Sequence, residues 1–256
     1  MSTGLYFYAI CRGVTPDDLA GQAGIGESPL RLVEQAGLGA VVSEVDLDEF
    51  GEDGLKRNLE DLAWLETVAL AHDRVTRLVA EQAPTAPLRL ATVFLGEDSL
   101  REQLTQWHER AERALDRIAG RSEWSVKAYV DPGARGEETQ DEPSPEGMGA
   151  GKAYLLKRRA ATQRRESLAA ADAATADEIH AALEGASVAG RRLAPQDRRL
   201  TGHTGEMVLN GTYLVDETRV ALFKGAVDAL AAHHAGVRVE VGGPWPPYSF
   251  ASLDEQ

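Results

Sequence analysis

The spacing of apolar residues along this chain changes several times, and each change marks an element. Residues 5–11 form a short aromatic and β-branched run, the pattern of a central strand. Pro16 followed by Asp17 and Asp18 suits one helical turn, and the glycine-rich stretch 21–28 reads as a loop. Residues 30–35 and 38–45 flank Ala36-Gly37 and predict a β-hairpin. Over 55–83 the spacing shifts to three and four residues. Leu55, Leu59, Leu62, Leu65, Ala69 and Val79 fall on one stripe, which predicts a single helix ended by Pro84 and Pro87. A short strand at 88–95 and a helix at 97–119 follow. That helix carries Leu100, Leu104, Trp107, Ala111, Ala114 and Ile118 on one face and stops at Gly120.

The second half repeats this alternation with different lengths. A strand at 124–130 leads into 131–150, whose prolines, glycines and acids cannot bury enough apolar surface to order themselves, so a mobile loop is expected. A long alanine-rich helix at 151–184 comes next. It is followed by strands near 187–193 and 207–215, a helix at 218–234 and a strand at 237–241. The resulting β-α-β-β-α-β order is the ferredoxin-like split βαβ pattern, with an antiparallel sheet and two helices on one face. The fold class is therefore α+β in two small domains, 1–120 and 121–242, with a C-terminal segment at 243–256 rich in proline and aromatic residues.

Charge narrows the function classes. The chain has 256 residues and a net charge of −14, from 27 basic and 41 acidic side chains, so its surface repels phosphate backbones and a general nucleic-acid role is not expected. Residues 1–120 hold 11 basic and 21 acidic residues, a net of −10; residues 121–256 hold 16 and 20, a net of −4. The strongest basic cluster is Lys157, Arg158 and Arg159 with Arg164 and Arg165. It is either a solvated helix face or a contact patch for an acidic partner. No apolar run is long enough to span a bilayer, and the first residues lack a basic signal region, so a cytoplasmic protein is expected. The single cysteine, Cys11, excludes an intrachain disulfide and cysteine-rich metal sites, and its place in an apolar strand predicts an inert thiol.

No reaction type emerges from the motifs. Residues 146–153 approach a P-loop, but Glu146 stands where glycine is required and Ala153 where Ser or Thr would hold magnesium. Gly21, Gly24 and Gly26 precede Pro29 and a strand, where a dinucleotide fingerprint needs a helix. His108 and Glu112 share a helix face without a third ligand, and His72 has no partner at metal spacing. The adjacent His233 and His234 are expected to point to different faces of a helix end. No metal or cofactor is expected at any of these positions.

The most unusual segment is 242–250, where three prolines surround Trp245 and Tyr248 and Phe250 follow. Proline fixes φ and removes donors, so the stretch reads as rigid and extended. Trp245, Pro246, Pro247, Tyr248 and Phe250 either cap the C-terminal domain's own core or present an aromatic anchor to a partner.

At this segment the sequence resembles the gas vesicle GvpL/GvpF family. LYFYAI at 5–10 is similar to that family's tyrosine-rich opening strand. The resemblance continues in order through GLGAVVSEV (37–45), WLETVALAH (64–72), PLRLATVF (87–94), EWSVKAYV (123–130), GKAYLLKRR (151–159), MVLNGTYLV (207–215) and GPWPPYSF (243–250). It implies a two-domain α+β protein without catalytic residues or cofactor. Such a protein acts in gas vesicle assembly or as a minor structural component, in the cytoplasm and associated with the vesicle. Its implied partners are the small hydrophobic shell protein and other accessory proteins. Two other classes stay open from the residues alone, a regulatory module that binds a small molecule and a cofactor-free enzyme.

Overall fold

In a computed structural model, residues 2–131, 150–196, 205–251 and 253 are described. The expected mobile loop at 131–150 lies outside them except for its two end residues. The chain divides into two compact units, Met1–Glu123 with Gly243–Gln256, and Trp124–Gly242. The proline and aromatic segment thus belongs with the first unit.

The first unit is built on β1 (Thr3–Cys11), a strand buried along almost its whole length. It pairs antiparallel with β3 (Leu38–Asp46), which pairs in turn with β2 (Arg31–Gln35). The other edge of β1 takes two short strands, β4 (Thr85–Pro87) and β5 (Val93–Phe94). A register shift between Phe7 and Ala9 changes the phase of β1. Tyr6, Tyr8, Ala9 and Cys11 therefore share one cluster with Val68, Val75 and Val79 of α3 (Leu62–Ala80). Helix α4 (Glu97–Ile118) also packs on this sheet and buries Leu100, Leu104, Ala111, Leu115 and Ile118. Cys11 is 1% exposed and burial pushes its thiol up to about 12, which agrees with an inert side chain.

Two expectations change here. The single helix over 55–83 is instead the end of α2 (Glu52–Asn58) and α3, with a short α1 (Leu47–Phe50) ahead of them. Asp61 caps α3 by accepting from the N–H groups of Ala63 and Trp64, so the helix restarts there. Leu59 and Leu62, placed on the predicted stripe, are 48% and 79% exposed. Of the strand expected over 88–95 only β5 remains, and β4 precedes that range, with a turn carrying Ala91 at φ 61 between the two.

In the second unit the strands β6 (Arg121–Val130), β7 (Ala189–Arg192), β8 (Glu206–Asp216) and β9 (Val237–Trp245) form a sheet in the order β7-β8-β6-β9. Helix α5 (Ala150–Gly185) precedes β7, and α6 (Val220–His233) precedes β9. Ile179 and Leu183 of α5 and Phe223 and Val227 of α6 bury against Trp124, Leu209, Tyr213 and Val215. Helix α5 spans 36 residues, roughly 54 Å at 1.5 Å per residue. Only its C-terminal part is buried; Tyr154 through Ser167 are all exposed. Among the described residues, no helix is long and apolar enough to cross a membrane.

Glycine is required where Gly24 passes the Tyr8 hydroxyl, because a Cβ there would collide with it. The expected hairpin closes through Ala36 and Gly37, with φ of 53° and 82°. A two-residue turn with both φ positive is the I′ type, which favours Asn-Gly. Ala36 is exposed and carries the cost of a left-handed residue alone. Ala36→Asn is therefore expected to stabilise the protein by about 0.5–1 kcal/mol. Urea denaturation checks this; a lower midpoint would show that the turn is not as described.

Candidate functional site

The C-terminal segment forms a compact clamp on the first unit. Pro246 and Pro247 are buried, and their carbonyls accept from the N–H groups of Tyr248, Phe250 and Ala251 in a tight turn. Ser249 donates twice to Glu123, from its N–H to Oε2 at 2.8 Å and from its hydroxyl to Oε1 at 2.6 Å. Glu123 is 8% exposed, so these charge-assisted bonds satisfy a buried carboxylate. Phe250 is 3% exposed, with the Arg117 guanidinium 5.9 Å from its ring centre, and Ala251 and Leu253 are buried beside it. Packing on the first unit replaces the expectation that this segment caps the C-terminal domain's core.

Two aromatics stay accessible. Trp245 is 40% and Tyr248 is 37% exposed. Arg77 lies over the Trp245 ring at 4.4 Å, and its Nε donates to Asp73 at 2.6 Å, which fixes the guanidinium and so the indole. Tyr248 stands 6.4 Å from the His72 ring. Burial raises its phenol, and the neighbouring Thr76 hydroxyl offsets part of the rise. Beside it opens a mainly apolar cleft of about 570 Å³, lined by His72, Leu88, Leu90, Trp107, Tyr248 and Leu253 among others.

The floor of the cleft is held by a buried polar relay. The Ala91 N–H donates to the Tyr6 hydroxyl at 3.0 Å, and the same hydroxyl shares a hydrogen bond with His72 Nδ1, also at 3.0 Å. Burial pushes the His72 imidazole down to about 4, with the Leu88 backbone opposing it weakly.

The sequence-predicted residues therefore separate by role. Pro246, Pro247 and Phe250 hold the clamp, and Trp245 and Tyr248 form its open face. Lys157, Arg158 and Arg159 lie in the other unit, exposed on α5. Sequence reasoning missed Arg77 and Glu123, which contact the segment over separations no local pattern encodes, and Asp73, which holds Arg77 in place. His72 and Thr76 had a usable signal, since both are polar residues on the buried stripe with Val68, Val75 and Val79. In the second unit, Glu178, His233 and His234 bring their ligand atoms within 4.8 Å of one another. The expectation of divergent histidines assumed a continuing helix, but His234 has left helical geometry, at φ −93° and ψ 85°.

The family model for the gas vesicle synthesis proteins GvpL/GvpF matches residues 4–252. The chain belongs to the GvpL/GvpF family. It is 40% identical to gas vesicle protein L of Streptomyces sp. (strain CB03234) over 254 residues, covering 98% of this chain and 94% of that protein. Against gas vesicle protein F of the same strain the identity is 28%, covering 98% and 99%. Among solved structures, GvpF from Anabaena sp. PCC7120 superposes with a TM-score of 0.73 at 18% identity, covering 99% of this chain and 98% of that one. The mixed α/β architecture with antiparallel sheets is thus the architecture of a GvpF structure.

A neutral buried histidine makes stability depend on pH in a defined direction. Its folded value near 4 lies below the ordinary 6.5, so the unfolded chain binds the extra proton between them. The contribution is complete above pH 6.5 and is lost as pH falls to 4, by about 3 kcal/mol. Urea denaturation of the native chain and His72→Gln across pH 4–7.5 is expected to give a steeper native profile; parallel profiles would show that His72 protonates freely.

Proposed function

We propose that this GvpL/GvpF protein is a non-catalytic accessory factor in gas vesicle assembly or a minor vesicle component. Its partners are the gas vesicle shell protein and other accessory proteins, and its place is the cytoplasm, on or near the vesicle. The supporting observation is the clamp face. Trp245 and Tyr248 are held rigid by two buried prolines, Arg77 and the Glu123–Ser249 bonds, yet each leaves more than a third of its surface open. The cleft beside Tyr248 is lined by Trp107 and Arg89 as well, and tryptophan, tyrosine and arginine at an apolar cleft are the composition of an interface hot spot. An apolar shell subunit covered by this face would stay soluble beside a carrier of net charge −14.

The exposed cations Lys157, Arg158 and Arg159 on α5 supply a second contact, for an acidic accessory protein. Between residues 152 and 167 this helix carries six basic residues and one acid, with Tyr154, Leu155 and Leu156 exposed among them. The second unit, with its strand order β7-β8-β6-β9 and two helices, reads as a ferredoxin-like scaffold for that helix. The higher identity to the L protein than to the F protein of one strain supports an L-type role. A second reading, binding of a small molecule, draws on the size of the cleft, which lies in the range of ligand pockets.

Co-expression with the shell protein and affinity capture tests the proposal. Trp245→Ala and Tyr248→Ala are each expected to weaken capture by about 2 kcal/mol, roughly 25-fold, with little change in Tm. Capture as strong as that of the native chain would overturn the assignment of this face.

A further inference from the structure

We propose that Glu178, His233 and His234 form a binding site for a divalent transition metal of the zinc class, joining α5 to the C-terminal end of α6. Glu178 lies on α5, one position before the buried Ile179. His233 is the last residue of α6, and His234 turns away from the helix axis. The turn brings the two imidazoles together nearly at right angles, with ring centres 5.0 Å apart. His234 Nε2 is buried and makes no hydrogen bond among the described residues. The Glu178 Oε2 is 3.8 Å from it, too far for a hydrogen bond. A buried imidazole nitrogen facing a carboxylate across that gap lacks the partner that such atoms normally have.

The donor set fits the ion. Two imidazole nitrogens and one carboxylate oxygen, with a fourth position for water, suit zinc and other borderline divalent metals, whereas calcium and magnesium prefer oxygen alone. Bonds of about 2.0–2.2 Å place tetrahedral donors roughly 3.4 Å apart, so the group must contract by about 1 Å or a little more. Glu178 and His233 are exposed and can move, while His234 is largely buried and serves as the fixed ligand. The carbonyls at the end of α6 add a field that favours a cation. The metal would anchor α6 to α5 next to Ile179 and Leu183, below the exposed stretch of the long helix.

The experiment uses the full chain without a histidine tag, stripped with EDTA. Zinc titration by calorimetry is expected to show one equivalent bound and a saturable rise in Tm. Cobalt(II) should give the intense visible bands of a four-coordinate ion. Glu178→Gln and His233→Gln, both at exposed positions, should each weaken binding at least tenfold, and His108→Gln should leave it unchanged. Absence of zinc binding, affinity unchanged in both variants, or a six-coordinate cobalt spectrum would each overturn the site.

Discussion

The hydroxyl of Tyr6 is buried at the centre of the first unit, and a buried hydroxyl must find partners on both sides. It accepts from Ala91 N–H and is hydrogen-bonded to His72 Nδ1, which ties β1 to the turn between β4 and β5 and to α3. The neighbouring Tyr8 makes a parallel set of bonds to Ser43 and to the Ile25 N–H, joining β3 and the glycine-rich loop. Burial raises both phenols, so neither ionises in the physiological range. These two tyrosines fix where α3 sits, and α3 carries Asp73, Thr76 and Arg77. The positions of Tyr248 and Trp245 follow from that chain of contacts.

The second unit uses a similar device. Tyr213 of β8 bonds to His180 Nδ1 of α5 at 2.9 Å, in contact with Phe223. In both units a helix histidine meets a tyrosine from an inner strand, which orients the helix by a directional bond as well as by apolar packing. Burial and the nearby Arg192 lower the His180 imidazole, so the bond is one between neutral groups. Only the C-terminal part of α5 gains from this. The remainder depends on alanine-rich helix propensity, and its basic residues, with one acid among them, repel one another. Such a stretch is stabilised when an acidic surface binds it.

Elements with a regular period were legible from the sequence. The stripe from Leu100 to Ile118 gave α4, and Ala36-Gly37 between two alternating runs gave the hairpin. The break at Asp61 was not legible, because the capping bonds compete with a leucine stripe that continues through it. The segment at 243–250 announced itself by composition, but its docking site did not. Glu123 and Ser249 are 126 residues apart, and Tyr6 and His72 are 66 apart. The approach of His233 to His234 depends on one residue leaving helical φ and ψ, which periodicity alone cannot supply. Family membership, in contrast, was legible from many weak segments in a fixed order.

The central claim is that the face built by Trp245, Tyr248 and the neighbouring cleft is where the partner sits. Hydrogen exchange of the full chain, alone and in complex with the shell protein, tests it without altering any residue. The account predicts slowed exchange in residues 69–92 and 245–251, with β7 and β8 unchanged. A stable complex in which slowing is confined to α5, or falls elsewhere in the second unit, would contradict it.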